Sequence, residues 1–246
     1  METELTSCVA CGGIPIGTYR VSLWGEATCS AHVIAGDCVL CGRPRADPPG
    51  VGWATFTRDT LRCPTCVRHG IETQAAARGH IPGVRAAMAA MGVELIRRVR
   101  VTLVVPDALR NGWPTDAVLF GMTHHQVSAD GAADVLGIQV AAGLTTTHFG
   151  ATLAHEIGHA WLVERGAVGL EPTVAEGLCE LFAGAWLKKQ RTVVADALRE
   201  AMATNPDPVY GGGYRLVRAA VVRHGIRAVL NHLVTRRTLP QAVSPG

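Results

Sequence analysis

The sequence predicts an α+β protein with a small, metal-stapled module at its front. Three observations carry this reading. Three Cys-x-x-Cys pairs all lie before residue 67, short β-branched runs fall between residues 99 and 144, and apolar positions recur at helical spacing from residue 151 onward. Strands followed by helices, rather than alternating with them, argue against a wound parallel sheet. With 48% hydrophobic and 17% charged residues, the 246-residue chain can bury a real core, which excludes a disordered protein. Residues 1–70 hold seven of the eight cysteines and read as one module, residues 71–98 as a connector and domain entry, and residues 99–246 as the main domain.

Taken in order, the module offers eight ligands: Cys8-x2-Cys11, seventeen residues, Cys29-x2-His32, five residues, Cys38-x2-Cys41, twenty-one residues, then Cys63-x2-Cys66. Each x2 pair supplies two ligands from one tight turn, and zinc accepts thiolate and imidazole in a tetrahedron, so two closed sites use all seven cysteines. The first holds Cys8, Cys11, Cys29 and His32, the second Cys38, Cys41, Cys63 and Cys66. A closed site has no open position, so both zincs are structural and replace the core that about 70 residues cannot build alone. A redox reading would need one such pair at a helix start after a strand, not three in register. The spacing resembles a LIM domain, with Cys29 and His32 swapped relative to the usual order and a longer gap between the two sites. A LIM-like module implies protein partners. His69, three residues past Cys66, is read as a surface residue that could stand in as a ligand.

The connector is Ala-rich and reads as two helical pieces joined by a turn at Ile81-Pro82-Gly83. Val99 to Val105 and Ala117 to Gly121 read as strands, bounded by Pro106 and by Asn111-Gly112. The run Val135 to Leu144 is a third, and its stretch from Gly137 fits an edge strand that holds an extended peptide, or equally an inner strand. His124 and His125 are placed in a loop. Helices are predicted over Ala151–Arg165, Thr173–Gln190, Thr192–Ala203, Arg215–His224 and Ile226–Thr235, with the Gly-rich YGGGY from Tyr210 as a turn.

His155-Glu156-Ile157-Gly158-His159 is HExxH, whose i, i+4 histidines share one helix face and one metal, with Glu156 beside them as a base for a metal-bound water. The helix is otherwise apolar (Leu153, Ala154, Ile157, Ala160), and a polar set there is costly unless something coordinates it. A catalytic zinc needs a third protein ligand. Leu162 and Arg165 stand where a metzincin would continue with Gly and His, so the ligand comes from elsewhere. Glu176, 17 residues past His159 on the next helix, is favoured, as in gluzincin peptidases. Glu180 lies one turn on and reads as a carboxylate orienting a ligand or as the ligand itself. Cys179 reads as core packing.

LAHEIGHAWL, VAEGLCELFAGAWL, VYGGGYR and HGIRAVLNHL ending in TRRTLP resemble, in this order, the peptidase region of the plant organ-size regulators, which are LIM-containing, ubiquitin-activated zinc peptidases. The resemblance runs from about Val135 to Pro240 and extends loosely to the LIM-like module. It implies that His155, His159 and Glu176 bind zinc and that Glu156 is the base. It also implies that the region around Tyr210 and Arg215 belongs to the active domain. Tyr210 is the candidate for stabilising the oxyanion, with His224 and Tyr214 behind it. No acidic run that would serve as a ubiquitin-interacting helix is present, which leaves a ubiquitin-like activator open. The Arg-over-Lys, Ala-rich composition suggests a bacterial relative.

The expected function is therefore an intracellular zinc endopeptidase with one catalytic and two structural zincs, whose LIM-like module recruits protein substrates or a regulatory protein. The competing reading is a LIM-type adaptor on a non-catalytic peptidase scaffold. Charge weighs against nucleic acid: the formal +3 disappears once zinc-bound thiolates are counted. No apolar run reaches the roughly 18 residues of a membrane span, and METELTSC lacks the pattern of an export signal, so a cytoplasmic location is expected.

Overall fold

The computed structural model describes residues 7–15, 17–47, 50–110 and 118–240. The cysteine region folds as three antiparallel hairpins: β1 (Tyr19–Val21) with β2 (Ala27–Cys29), β3 (Ile34–Asp37) with β4 (Pro44–Ala46), and β5 (Ala54–Thr57) with β6 (Thr60–Arg62). Two-stranded pieces this short have no stability of their own. The cysteines sit where the hairpins turn or end. Cys38 and Cys41 fall in the turn between β3 and β4, and Cys63 follows β6 and caps helix α1 (Pro64–Arg68), its Sγ accepting from the Cys66 N–H.

Helix α2 (Gln74–Ala89) runs unbroken through Pro82, where the sequence suggested a turn. Ala77, Val84 and Met88 form its buried face, and the helix lies against α3 (Thr146–Glu164). Burying that face offsets the roughly 3 kcal/mol that a mid-helix proline costs.

The main sheet has three strands, β7 (Val101–Val104), β8 (Gly121–Val127) and β9 (Ala133–Ala141), in the order β7-β9-β8; β9 runs parallel to β7 and antiparallel to β8. Two strand readings change. Ala117 and the Asn111-Gly112 turn lie outside the described residues, residues 118–120 are not strand, and β8 instead takes in His124 and His125, which the sequence placed in a loop. An outer strand partnered by β9 along its length needs no apolar alternation of its own to form. The run from Gly137 belongs to β9, the central strand, so the sheet edge facing the helical half is β8.

The remaining helices are α4 (Pro172–Gln190), α5 (Val193–Thr204), α6 (Tyr210–His224) and α7 (Ile226–Arg236). Helix α3 begins five residues before its predicted start because Thr145 caps it, its hydroxyl accepting from the His148 N–H. Helix α6 likewise begins at Tyr210, with the Asp207 carboxylate accepting from the N–H groups of Val209 and Tyr210 at 2.8 Å each. The glycines read as a turn serve close approach instead. A Cβ on Gly213 would lie 2.2 Å from the Thr173 carbonyl oxygen, and one on Gly177 would lie 2.3 Å from the Gly213 backbone, so α4 and α6 cross there in backbone contact. Helix α3 sits between the sheet and α4, with Phe149, Leu153 and Ile157 fully buried. Among the described residues, no helix is long and apolar enough to cross a membrane.

Candidate functional site

Helices α3 and α4 bring together the two histidines and the carboxylate singled out from the sequence. His155 Nε2 lies 3.1 Å from His159 Nε2 and 3.1 Å from Glu176 Oε2, and His159 Nε2 lies 3.4 Å from the same oxygen. Ligand bonds of about 2.0–2.1 Å in a tetrahedron imply ligand-to-ligand edges near ~3.4 Å, so this triangle fits a zinc ion. Cys179 is a second candidate, since its Sγ also lies within 4.8 Å of ligand atoms of both histidines. Glu176 is the better fit because its distances already match the tetrahedral edge. The Cys179 thiol is fully buried and packs on Gly158, where a Cβ would meet Sγ at 3.0 Å.

The surrounding groups orient this triangle. Glu180 Oε1 lies 3.0 Å from His155 Nδ1, on the opposite edge of the ring from Glu176, where it fixes the tautomer that leaves Nε2 free for a metal. Burial alone would pull the His155 pKa down, but hydrogen bonds to Glu176 and Glu180 hold it well above its usual range. The Glu176 carboxyl, which burial would push up, is instead held far below the usual range by His155 and His159.

Glu156 is buried at 6% exposure, and the Thr123 hydroxyl on β8 lies 2.7 Å from its Oε2 and 2.9 Å from its backbone carbonyl. Gly121, where β8 begins, passes so close that a Cβ would sit 2.8 Å from Glu156 Oε1. Neither residue carries a sequence signal, because the contact joins a strand and a helix 33 residues apart.

Tyr210, at the start of α6, places its ring centroid 6.5 Å from that of His155. Burial and the carboxylates of Glu176, Glu156 and Glu180 push its phenol up to about 12, so the proton stays on as a donor. Beside the triad lies a cavity of about 420 Å³ walled by Phe120, Ala183, Leu198 and Met202, with Glu156 and Tyr210 at its polar end. The other candidates fall elsewhere. Tyr214 is buried against the position of Gly184, and His69 stacks on Trp24 at 5.1 Å. His224 ends α6 with Nε2 buried and without a hydrogen-bond partner among the described residues.

Both cysteine sets assemble as the spacing predicts. In the first, Cys8 Sγ lies 3.4 Å from His32 Nε2 and 3.6 Å from Cys29 Sγ, and Cys29 Sγ lies 3.1 Å from His32 Nε2 and 3.9 Å from Cys11 Sγ. In the second, Cys38, Cys41, Cys63 and Cys66 are all buried, with Sγ atoms within 4.8 Å of one another. Thiols this close favour a cation among them. In the first set, burial raises the Cys8 thiol, but the N–H groups of Cys29, Ala10 and Cys11 and the His32 ring bring it down to about 6. Trp24 Nε1 donates to Cys66 Sγ at 3.2 Å.

The second set is tied directly to α3. His148, two turns before His155, donates from Nε2 to the Leu40 carbonyl inside the Cys38–Cys41 turn at 2.8 Å, while its Nδ1 accepts from the Thr145 hydroxyl at 2.7 Å. Burial lowers the His148 pKa and keeps the ring neutral, as this donor and acceptor pair requires. Arg62 Nη1 donates to the Gly143 carbonyl at 2.7 Å and to Glu72 Oε1 at 2.6 Å, and Ile71 exchanges backbone hydrogen bonds with Gly143 and Leu144.

Comparison with known proteins gives the chain a family. The DA1-like family model, described as Protein DA1, matches residues 72–204, more than half of the chain. Protein DA1-related 2 of Arabidopsis thaliana is 26% identical over 156 residues, covering 50% of this chain and 30% of that protein. Protein DA1 of the same plant is 27% identical over 128 residues, covering 41% and 24%. The LIM domain-containing protein HDR3 of Oryza sativa subsp. japonica is 26% identical over 136 residues, covering 41% and 27%. The aligned part thus spans about a third or less of these relatives, and nothing in the matches supports a bacterial source. No solved structure matches the chain. The mixed α and β fold behind a cysteine-rich module with metal-binding geometry, together with the family match over more than half of its length, places this chain in the DA1-like family.

Proposed function

We propose that the chain is a zinc-dependent endopeptidase, with one catalytic zinc held by His155, His159 and Glu176 and two structural zincs in the cysteine module. The observation that carries this reading is Glu156: a buried carboxylate, aligned by Thr123, beside the three groups that would hold the metal and flanked on its helix by the fully buried Leu153, Ala154 and Ile157. A buried acid so placed has no packing role that an apolar residue would not fill better.

When bound, zinc would polarise the scissile carbonyl and acidify a water. Glu156 is placed to take the proton of an attacking water on a carboxylate oxygen and to hand it to the leaving amine nitrogen. Thr123 keeps the carboxylate from rotating away, and Glu180 keeps His155 in the tautomer that presents Nε2. Tyr210, protonated and 40% exposed, can swing its hydroxyl toward the developing oxyanion. The exposed edge of β8 offers backbone groups to an extended substrate, and the apolar cavity beside Glu156 receives a substrate side chain. The LIM-like module, on this reading, recruits the protein substrate or a regulator.

The test is Glu156→Gln in the full chain. It is expected to retain all three zincs and the fold, and to lower peptide hydrolysis by a factor on the order of 10³ or more. Equal turnover by wild type and Glu156→Gln, in a preparation carrying three zincs, would favour the adaptor reading.

A further inference from the structure

A cavity of about 680 Å³ lies away from the metal triad, between α2 and the segment leading into β7. Its walls carry Arg78 and Arg85 from α2 and Arg98 and Arg100 from the segment before β7, with no acidic residue among the described lining residues. Such a gathering of like charge is unfavourable unless something negative joins it.

Three observations show that the described residues do not supply the counter-charge. Arg78, Arg98 and Arg100 make no ion pair among the described residues, whereas Arg97, next in sequence, is paired with Asp134. Glu94 lines the neighbouring cavity with Arg85 and Arg98 but bridges to neither. Arg85 is half-buried; one of its terminal nitrogens donates to the Val99 carbonyl, and its Nε is buried with no hydrogen-bond partner among the described residues. Burial and the nearby Arg98 both weaken its hold on its proton, the mark of a cation held beside another cation.

We propose that this cleft is a binding site for a phosphate group. A carboxylate brings one charge and two oxygens, which four guanidinium groups exceed. A phosphate monoester brings close to two charges and three strong acceptor oxygens, and guanidinium forks match its geometry. The edge of β7 that the cleft adjoins is opposite β8, so the bound group is not a substrate bond presented to Glu156 but a separate recognition element. Its source is either a phosphoserine or phosphothreonine on a protein segment or a free phosphate.

The experiment is calorimetric titration of the full, zinc-loaded chain in phosphate-free buffer at about 150 mM salt. The probes are a phosphoserine peptide, the same peptide unphosphorylated, and inorganic phosphate. At least one phosphate probe is expected to bind, with the unphosphorylated peptide at least about 10-fold weaker. The double variant Arg98→Gln/Arg100→Gln changes only exposed side chains and should weaken the phosphate probe by about 10-fold or more. His155→Ala, which disables the proposed catalytic metal, and Arg223→Gln, on an exposed face of α6, should leave it unchanged. Tighter binding of the phosphopeptide than of inorganic phosphate assigns the site to a phosphoprotein; equal binding assigns it to free phosphate. No phosphate binding below about 10 mM, or binding unchanged by the Arg98/Arg100 variant, or binding lost in His155→Ala, overturns the proposal.

Discussion

The two cysteine clusters, one of three thiols and an imidazole and the other of four thiols, both have the geometry of a four-ligand metal site and occupy very different places in the molecule. Cys38, Cys41, Cys63 and Cys66 are 2%, 3%, 0% and 0% exposed and are continuous with the core that contains Leu144, Phe149 and Leu153. In the other cluster only Cys8 is buried, Cys11 is exposed, and none of the four residues belongs to that core. The first cluster is tethered by polar links: Arg43 reaches the Val9 carbonyl and Glu26, and Glu26 in turn accepts from the Thr65 hydroxyl at 2.7 Å. A metal's contribution therefore depends on what its ligand loops support. One cluster is a peripheral staple, whereas the other is a footing for the helix that carries His155 and His159.

The largest effect expected from this difference is in Cys63→Ser. Structural zinc contributes an apparent ~10–16 kcal/mol in small fingers, as much as a whole domain's usual stability of about 5–15 kcal/mol. Losing it where three remaining thiols are buried should abolish cooperative unfolding and lower zinc in both the second cluster and the His155 site. Thermal unfolding followed by circular dichroism, with zinc measured per chain, checks this. A cooperative melt near that of wild type would show that the two clusters are equivalent after all.

A smaller cut tests the link itself. His148→Ala leaves both cysteine clusters intact but strips the Leu40 carbonyl of its donor and opens a cavity under α3, at a cost of about 1–3 kcal/mol for the unpaired group. The sign of the pH effect follows from the lowered His148 pKa. The unfolded chain binds a proton near the ordinary value of about 6.5 while the folded chain resists it, so stability is full above that value and is lost as pH falls toward the folded pKa. Denaturant midpoints measured from pH 7.5 down to 5 should therefore fall less steeply in His148→Ala than in wild type. Parallel slopes would mean that His148 is not the joint between module and helix.

The burial that sets the second cluster apart and the His148 contact beneath α3 were not disclosed by the sequence, and the reason is physical. Ligand sets are legible because a tetrahedral metal forces short spacings within the chain, such as the x2 pairs and the i, i+4 histidines. The seventeen residues from His159 to Glu176 were readable for the same reason, since a helix, a turn and an antiparallel return fix the distance. His148 meets Leu40 across 108 residues, and Thr123 meets Glu156 between strand and helix, so no local period marks either pair. Strand β8 was misplaced because GMTHHQV lacks alternation, and α6 was shortened because glycines that permit close helix packing look the same in sequence as glycines that permit a turn. Pro82 misled in the same way: tertiary burial of the α2 face outweighed the local signal.

The smallest effect belongs to the other side of the comparison. Cys11→Ser removes an exposed ligand from the cluster outside the core, so zinc should fall from three to two per chain while the second cluster and the His155 site keep theirs. The loss is confined to the first hairpin and its flanking turn. The Arg20–Asp37 pair there is half-exposed and by itself contributes little, about 0–1 kcal/mol. The main melt should therefore shift by no more than a few degrees, and hydrolysis of a short peptide, which needs no recruitment, should stay within about threefold of wild type. Cleavage of a whole protein substrate is where the change should appear, because an exposed, locally disordered finger no longer presents a docking surface. A loss of short-peptide hydrolysis as large as that in Cys63→Ser would mean that the peripheral cluster also supports the α3 helix, through the Arg43, Glu26 and Thr65 links, and the distinction between staple and footing would not stand.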